Sequence, residues 1–429
     1  MDVAFLFLIV ATIVGIGFAG NYIFSKTKIP DILFLLLLGV LLGPVLGVFE
    51  RELFLNVIPY VSALALLMIL FNGGLNLKLD KVIEKVPRGA ILAILGFTIS
   101  TAAVSGVTFI AFESLSFVKS VLLGVIVGGV SSAIVIPVAS ELEDFRKDAK
   151  LMLDIESVIT DPLCIIVALA MMGIMAGGAS SPGAITTESL SAVVSTFSIS
   201  IVVGFILGGI WLEVLRHIKG QDFHYMLTIS FLFFVYASTQ ILGGHGAVAS
   251  FVVGLILGNP KRVGNIFNSD KKYFGLTEKT KEFQDQISFF IKTFFFVILG
   301  IIITFENPML FLYGGILSIV IIITRYVAVE IISIGTELKR MEKSIMTFMS
   351  PRGLAAAVLA STPFVEYGIG GTQIFTEIVF SVILGTSLVT TFGTLYVQHK
   401  ADFKAISEDT KKSSDSEDSE LPENLKDSE

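Results

Sequence analysis

The chain has 429 residues, of which 54% are hydrophobic and only 16% are charged, with a formal net charge of −7 at pH 7. This composition excludes a water-soluble domain of such size, because its surface would be too poor in polar groups. The single cysteine, Cys164, excludes an intrachain disulfide framework and a cysteine metal cluster.

Long apolar segments recur along almost the whole chain. Most have about 18 to 25 residues, enough to cross the hydrocarbon core of a bilayer as a helix, and the ninth is shorter. The pattern predicts an all-α membrane protein with about thirteen transmembrane helices. The first is predicted to be a transmembrane helix rather than a signal peptide that is cleaved off. In chain order, the predicted spans are 3–24, 29–48, 53–76, 89–112, 117–139, 149–175, 190–215, 225–242, 246–258, 287–305, 308–333, 345–364 and 375–397.

The basic residues of the loops indicate the orientation of the chain. Lysine and arginine gather in the loops after the odd-numbered spans, whereas the alternate loops hold only Arg51 and Lys119. Because cytoplasmic loops are enriched in basic residues, the N-terminus is predicted outside and the C-terminus inside. Residues 1–400 then form the transmembrane domain, in the inner cell membrane of a prokaryote. The acidic, serine-rich segment 401–429 is predicted to be a disordered cytoplasmic tail.

An odd number of helices allows two six-helix units of opposite orientation, joined by one connecting helix. The fifth and twelfth helices are then equivalent, and both contain residues that interrupt a helix. These are Gly128-Gly129-Val130-Ser131-Ser132 with Pro137 in one, and Ser350-Pro351-Arg352-Gly353 in the other. Inverted repeats with broken helices at matching positions are how secondary transporters build an ion site at the membrane midplane.

Five ionisable residues lie too far inside the predicted spans to be placed at a membrane surface or in a loop: Glu156, Asp161, Lys292, Arg325 and Arg352. A charge within the bilayer costs several kcal/mol, so each is expected to be paired or functional. Glu156 has two candidate partners, Arg325 and Arg352, whereas Asp161 has none apart from Lys292. An unpaired, desolvated carboxylate favours its protonated form. We therefore expect Asp161 to exchange a proton for a cation.

The sixth helix provides further oxygen atoms near this acid. At about 100° per residue, Ser157 and Asp161 share a face with Asp154, while Glu156 lies well around the helix. Because Pro162 has no N–H group, the Val158 carbonyl lacks its helical partner. A carboxylate, the Ser157 hydroxyl and free carbonyls would form a site for a monovalent metal cation such as Na⁺.

The segment Glu156-Ser157-Val158-Ile159-Thr160-Asp161-Pro162 resembles the ion-binding helix of NhaP-type sodium/proton antiporters, within the cation/proton antiporter superfamily. The resemblance runs from about residue 5 to 397. Its other motifs lie at 29–31, 38–44, 71–75, 294–300 and 350–354.

This resemblance implies thirteen helices, a homodimer and an elevator-like motion of a core bundle. It also implies roles for single residues. Asp161 is the ion- and proton-binding acid, and Ser157 is a ligand. Glu156 forms a supporting charge cluster with Arg325 and Arg352. Apart from the resemblance, the sequence offers four possible modulators: Lys292, Asp154, Thr160 and Ser132.

The broken fifth helix departs from the NhaP pattern. Such proteins usually carry Thr-Asp where this chain has Val130-Ser131, followed by Ser132, and residues 131–135 resemble Kef-type potassium/proton antiporters instead. Thr160 stands where electroneutral relatives have Asn and electrogenic ones have Asp. Val130 and Ser131 are candidate ligands of the cation. Because the core then holds one carboxylate rather than two, the sequence favours an electroneutral exchange of one cation for one proton.

We therefore expect a transporter that exchanges Na⁺, or Li⁺ or K⁺, for H⁺ across a lipid bilayer. Two alternatives remain open: a Kef-like K⁺/H⁺ antiporter or K⁺ channel-like efflux protein, and an organic-anion symporter in which Arg352 serves a carboxylate. The sequence contains no hydrolase, metal-cluster or phosphate-binding motif. It therefore predicts no enzyme, no cofactor and no nucleic-acid partner.

Overall fold

The computed structural model describes residues 3–27, 30–49, 51–79, 87–142, 145–177, 186–217, 224–260, 262 and 278–419, and all regular structure within them is helical. The helices are α1 Val3–Thr27, α2 Asp31–Val40, α3 Arg51–Leu55, α4 Ile58–Asn76, α5 Pro87–Ala111, α6 Phe117–Ile126, α7 Ser132–Ser140, α8 Lys147–Ala176, α9 Thr187–His217, α10 His224–Ile241, α11 Gly246–Gly258, α12 Glu278–Ile302, α13 Pro308–Ile332, α14 Arg340–Phe348, α15 Leu354–Val365 and α16 Phe375–Ser419. A π-helical turn at Leu41–Val45 extends α2.

The apolar helices follow the predicted spans closely. Within the described residues, six are long and apolar enough to cross a membrane, and seven shorter helices are also apolar. Each falls on a different one of the thirteen predicted spans, so helices form where the hydropathy of the sequence places them.

Two of the spans are interrupted, at the places where the sequence predicts a break. The fifth consists of α6 and α7, separated by non-helical residues 127–131. The twelfth consists of α14 and α15, separated by residues 349–353. Each break leaves one helix C-terminus and one helix N-terminus inside the protein, with partial charges of opposite sign.

The helices pack as two bundles. The scaffold bundle, as we name it, contains α1–α4 and α9–α12, and the site bundle contains α5–α8 and α13–α16. The scaffold has two very close crossings made by glycine. A Cβ atom on Gly39 would lie 2.2 Å from the Val297 carbonyl oxygen, and one on Gly74 equally close to the Phe251 carbonyl oxygen. Only glycine allows α2 to approach α12, and α4 to approach α11, this closely.

The last helix, α16, continues to Ser419 and so enters the segment for which the sequence predicts disorder. A helix that is already formed in the membrane extends into residues such as Ala, Lys and Glu at little cost, because nucleation is the unfavourable step. Residues 420–429 lie outside the described part of the chain, and the disordered tail over 401–429 stays a prediction.

Candidate functional site

The two broken helices meet at their breaks. The backbone N–H of Ser131 donates a hydrogen bond to the Pro351 carbonyl oxygen at 2.9 Å. A Cβ atom on Gly353 would come within 2.2 Å of the Ser131 Oγ atom, so a larger residue at 353 would separate the breaks. Backbone groups left unpaired by one break are thus satisfied by the other, as buried polar groups require.

Thr160, on α8, holds the first break in its extended conformation. Its hydroxyl accepts a hydrogen bond from the Val130 N–H at 3.0 Å and lies 3.1 Å from the Val130 carbonyl oxygen, to which it donates. Thr160 is fully buried. The Thr160 side chain therefore pairs both the N–H and the carbonyl of Val130, which lies between two helices and has no helical hydrogen bonds there.

We expect Thr160→Val to lower the free energy of unfolding by about 1–3 kcal/mol, because it leaves two buried backbone groups unsatisfied at almost unchanged volume. Thermal unfolding in detergent measures the effect. Thr160→Ser, which keeps the hydroxyl, is the matched control and should remain near wild type. Equal stability of the Val and wild-type proteins would contradict this role of the hydroxyl.

Asp161 lies beside Thr160 and caps the N-terminus of α7. Its Oδ2 atom accepts hydrogen bonds from the Ser132 backbone N–H at 2.9 Å and from the Ser132 hydroxyl at 2.6 Å. The N-terminus of a helix favours a negative charge, so α7 and Asp161 stabilise each other. The structure thus brings together three predicted site residues, Asp161, Thr160 and Ser132.

A cavity of about 460 Å³ opens between the two bundles in front of Asp161. Among the described residues that line it, Asp161 is the only acid and Lys292 the only base. The lining from the site bundle includes Ser131, Ser132, Ile136, Pro137, Val158, Asp161, Leu354 and Ala355, and that from the scaffold includes Met68, Asn72, Gly73, Asn76, Ser288, Phe289 and Lys292. The cavity gives a small ion access to the carboxylate.

The other predicted oxygen donors on α8 lie at different places. Ser157 is fully buried, and its hydroxyl lies 3.2 Å from the Asp154 carbonyl oxygen, to which it donates. Ser157 is not among the residues described as lining the cavity, whereas Val158 is. Asp154 lines a smaller adjoining cavity of about 290 Å³ near Lys78, towards the predicted cytoplasmic side. The assignment of Ser157 as a ligand stays a prediction.

The predicted charge cluster divides into two separate arrangements. Arg325 forms a buried bidentate ion pair with Glu156, in which Nη2 and Oε2 are 2.7 Å apart. Its Nε atom also donates to the Met346 carbonyl oxygen at 2.9 Å, in the last turn of α14. Glu156 is therefore paired with Arg325 inside the protein, and its supporting role stays a prediction.

Arg352 does not contact Glu156 in the described structure. Its Nε atom donates to the Val127 carbonyl oxygen at 2.6 Å, and its two terminal nitrogens donate to the Ser350 carbonyl and the Ser100 hydroxyl. Arg352 thus lies at the C-terminal end of α6, where a helix carries partial negative charge. The unpaired carbonyls of a broken helix thus bind this guanidinium, and the place of Arg352 in a charge cluster with Glu156 stays a prediction.

Lys292 also has a partner that the sequence reasoning missed. Its Nζ atom lies 2.6 Å from the Asp31 Oδ2 atom, on α2, and no bond from Lys292 to Asp161 occurs in the described structure. Asp31 stands at the start of a predicted span, where an acid reads as a surface residue. The sequence does contain a signal for this pair. Lys292 lies inside a predicted span at a depth similar to that of Asp31, and a lysine at such a depth is expected to have an acidic partner.

Comparisons with known proteins extend the resemblance. Residues 8–397 match the family model described as sodium/hydrogen exchanger, transmembrane. The chain is 29% identical over 390 residues to Na(+)/H(+) antiporter 1 of Methanocaldococcus jannaschii, covering 86% of this chain and 87% of that protein. It is 24% identical over 396 residues to K(+)/H(+) antiporter NhaP2 of Shewanella oneidensis, covering 89% of this chain and 64% of that protein.

A solved structure matches the fold over almost the whole chain. The sodium proton antiporter MjNhaP1 from M. jannaschii, determined at pH 8, superposes with a TM-score of 0.71 at 24% identity, covering 95% of this chain and 99% of that one. This agreement confirms the predicted all-α antiporter fold with interrupted helices.

Proposed function

The chain belongs to the transmembrane sodium/hydrogen exchanger family, and from that premise we propose that it exchanges Na⁺ for H⁺ across the cell membrane. Family membership makes it a multi-pass membrane transporter of ions rather than an enzyme, and the transported ions are substrates rather than cofactors. The observation that carries the proposal is the Asp161 carboxylate, the only acid among the described residues of a cavity between two helix bundles.

The exchange works by competition for one carboxylate. A cation that enters the cavity binds the Asp161 oxygens and displaces the proton, and the Ser132 hydroxyl supplies a neighbouring oxygen. The N-terminus of α7 stabilises the ionised form, to which the cation binds. Val130, Ser131 and Val158 provide further oxygens near the break, and Ser157 provides one if α8 rearranges. Water molecules complete the coordination of a small monovalent ion.

Exchange is proposed to be electroneutral, with one cation for one proton. A single carboxylate holds one proton or one monovalent cation at a time. Lys292, the only base among the described residues of the cavity, is engaged by Asp31 and so does not serve as a second proton carrier. The proposal of electroneutral exchange therefore rests on which charged residues line the cavity.

An elevator-type motion accounts for alternating access. Both helix breaks and Asp161 belong to the site bundle, whereas the facing wall of the cavity belongs to the scaffold bundle. Sliding of the site bundle along the scaffold would carry the bound ion from one side of the membrane to the other. A homodimer held together by its scaffolds, in the inner membrane of a prokaryote, would keep that wall fixed.

K⁺ exchange is the second candidate. Shewanella relatives are K(+)/H(+) antiporters, and Ser131 replaces the expected acid in the broken fifth helix. A channel-like efflux protein has no further support. An organic-anion symporter is disfavoured, because Arg352 donates to carbonyl oxygens and is not among the described residues of the cavity.

Proton flux in proteoliposomes tests the proposal. Acid-loaded vesicles containing a pH-sensitive dye receive pulses of Na⁺, Li⁺ or K⁺ at several pH values. We expect alkalinisation inside after Na⁺ and Li⁺ pulses, unchanged when valinomycin and K⁺ clamp the membrane potential. A response to K⁺ alone would establish the second candidate, a response that follows the imposed potential would refute electroneutrality, and no response to any cation would refute the exchange itself.

A further inference from the structure

The Asp31–Lys292 ion pair lies on the scaffold wall of the cation cavity and has no assigned role in the exchange. Lys292 lines the cavity, whereas Asp31 lies behind it and is not among the lining residues. The side chains are only 16% and 13% exposed, so both charges are largely removed from solvent. Asp161 lines the same cavity from the site bundle.

Asp31 is held rigidly in place. Its Oδ1 atom accepts a hydrogen bond from the Ile32 N–H at 2.9 Å, while Oδ2 accepts from Lys292. Gly20 of α1 packs over it, since a Cβ atom there would lie 3.7 Å from the Asp31 Cβ. The N-terminus of α2 also favours the negative charge. The acid therefore offers Lys292 a partner that is fixed at the start of α2.

The ammonium group of Lys292 has the charge of the proposed substrate. A lysine that was not paired would act as a tethered monovalent cation within the cavity, since it lines the same cavity as Asp161. Close charges interact strongly in a site of low dielectric constant, and the flexible lysine stem can redirect the charge. Such a lysine would compete with Na⁺ for the carboxylate or repel it.

We propose that Asp31 determines the cation affinity of the transporter by holding Lys292 away from Asp161. The inference rests on the proposed cation/proton exchange and adds a positioning residue to it. Asp31 acts through Lys292 and does not touch the ion. Removing the acid leaves a positive charge in the cavity and weakens cation binding, and removing both charges restores it.

The experiment measures cation-dependent proton flux by Asp31→Asn in proteoliposomes. Asn keeps the volume and an oxygen for the Ile32 N–H. We expect the apparent KM for the transported cation to rise on the order of tenfold, because the cavity then holds a positive charge that no acid compensates, while kcat changes less than twofold. Asp31→Asn combined with Lys292→Met should return KM to within about twofold of wild type, and Lys292→Met alone should not raise it.

A purely structural pair would not give this split between KM and kcat, nor the rescue by the second substitution. Glu330→Gln is the matched control, since it removes the acid of the Lys343–Glu330 pair, whose side chains are 27% and 42% exposed. Its KM should equal that of wild type. Where Asp31→Asn does not yield folded protein, Asp31→Ser, which also caps a helix N-terminus, replaces it.

The outcomes separate the inference from the proposed function. A wild-type KM in Asp31→Asn, or a raised KM that persists in the double variant, would overturn the role of Asp31 while the exchange itself stands. A wild-type protein without cation-dependent proton flux would refute the proposed function before any variant is compared.

Discussion

Asp161→Asn is expected to abolish cation/proton exchange, reducing the flux at least 100-fold, while the protein remains folded. Asparagine has nearly the same shape and keeps an oxygen that can accept from the Ser132 N–H and hydroxyl. It carries no charge for the cation and no titratable proton, so neither half of the exchange can occur. Proton flux in proteoliposomes and thermal unfolding in detergent are measured on the same preparation.

The control for this variant lies on the same helix. Asp148→Asn removes an acid from the first turn of α8, where the side chain is 76% exposed and pairs with Arg146. An exposed pair of this kind contributes little, so exchange and stability should both match wild type. Exchange retained by Asp161→Asn would show that another group carries the proton, and the assignment of Asp161 would fail.

The overall architecture was predictable because it depends on length and hydropathy. The cost of exposing backbone groups to lipid forces every membrane-crossing segment into a helix, and apolar stretches therefore locate the spans. The two breaks were also predictable, from Gly128-Gly129 and Pro351-Arg352-Gly353, since such residues interrupt helices at matching places. These predictions use local properties of the chain.

The site could be predicted only in part, because its contacts join distant segments. Helical geometry places Ser157 on the face of Asp161, but the carboxylate reaches across to Ser132 at the start of α7. The partners Asp31 and Lys292 are 261 positions apart, and no periodicity connects them. Arg352 binds main-chain carbonyls, which a count of charged side chains does not include. Each difference concerns the direction of a side chain, which depends on tertiary packing.

Glu156→Gln is expected to destabilise the protein by about 3–5 kcal/mol, because it leaves the Arg325 guanidinium buried without an opposite charge. The Glu156 and Arg325 side chains are 1% and 3% exposed, so solvent water does not take the place of the carboxylate beside the guanidinium. Thermal unfolding in detergent should show a large decrease in melting temperature. The loss should come from the unpaired arginine rather than from the missing acid itself.

A double variant separates these two causes. Glu156→Gln combined with Arg325→Met removes both charges, and we expect it to recover most of the lost stability, since replacing a whole buried pair costs much less than breaking it. Recovery stays incomplete because Arg325 also donates to the Met346 carbonyl at the end of α14. If the double variant were as unstable as the single one, the acid would contribute through contacts other than Arg325. Because Glu156 contacts neither the cavity nor Asp161 in the described structure, a folded double variant should also retain exchange, which separates this supporting pair from the ion-binding carboxylate.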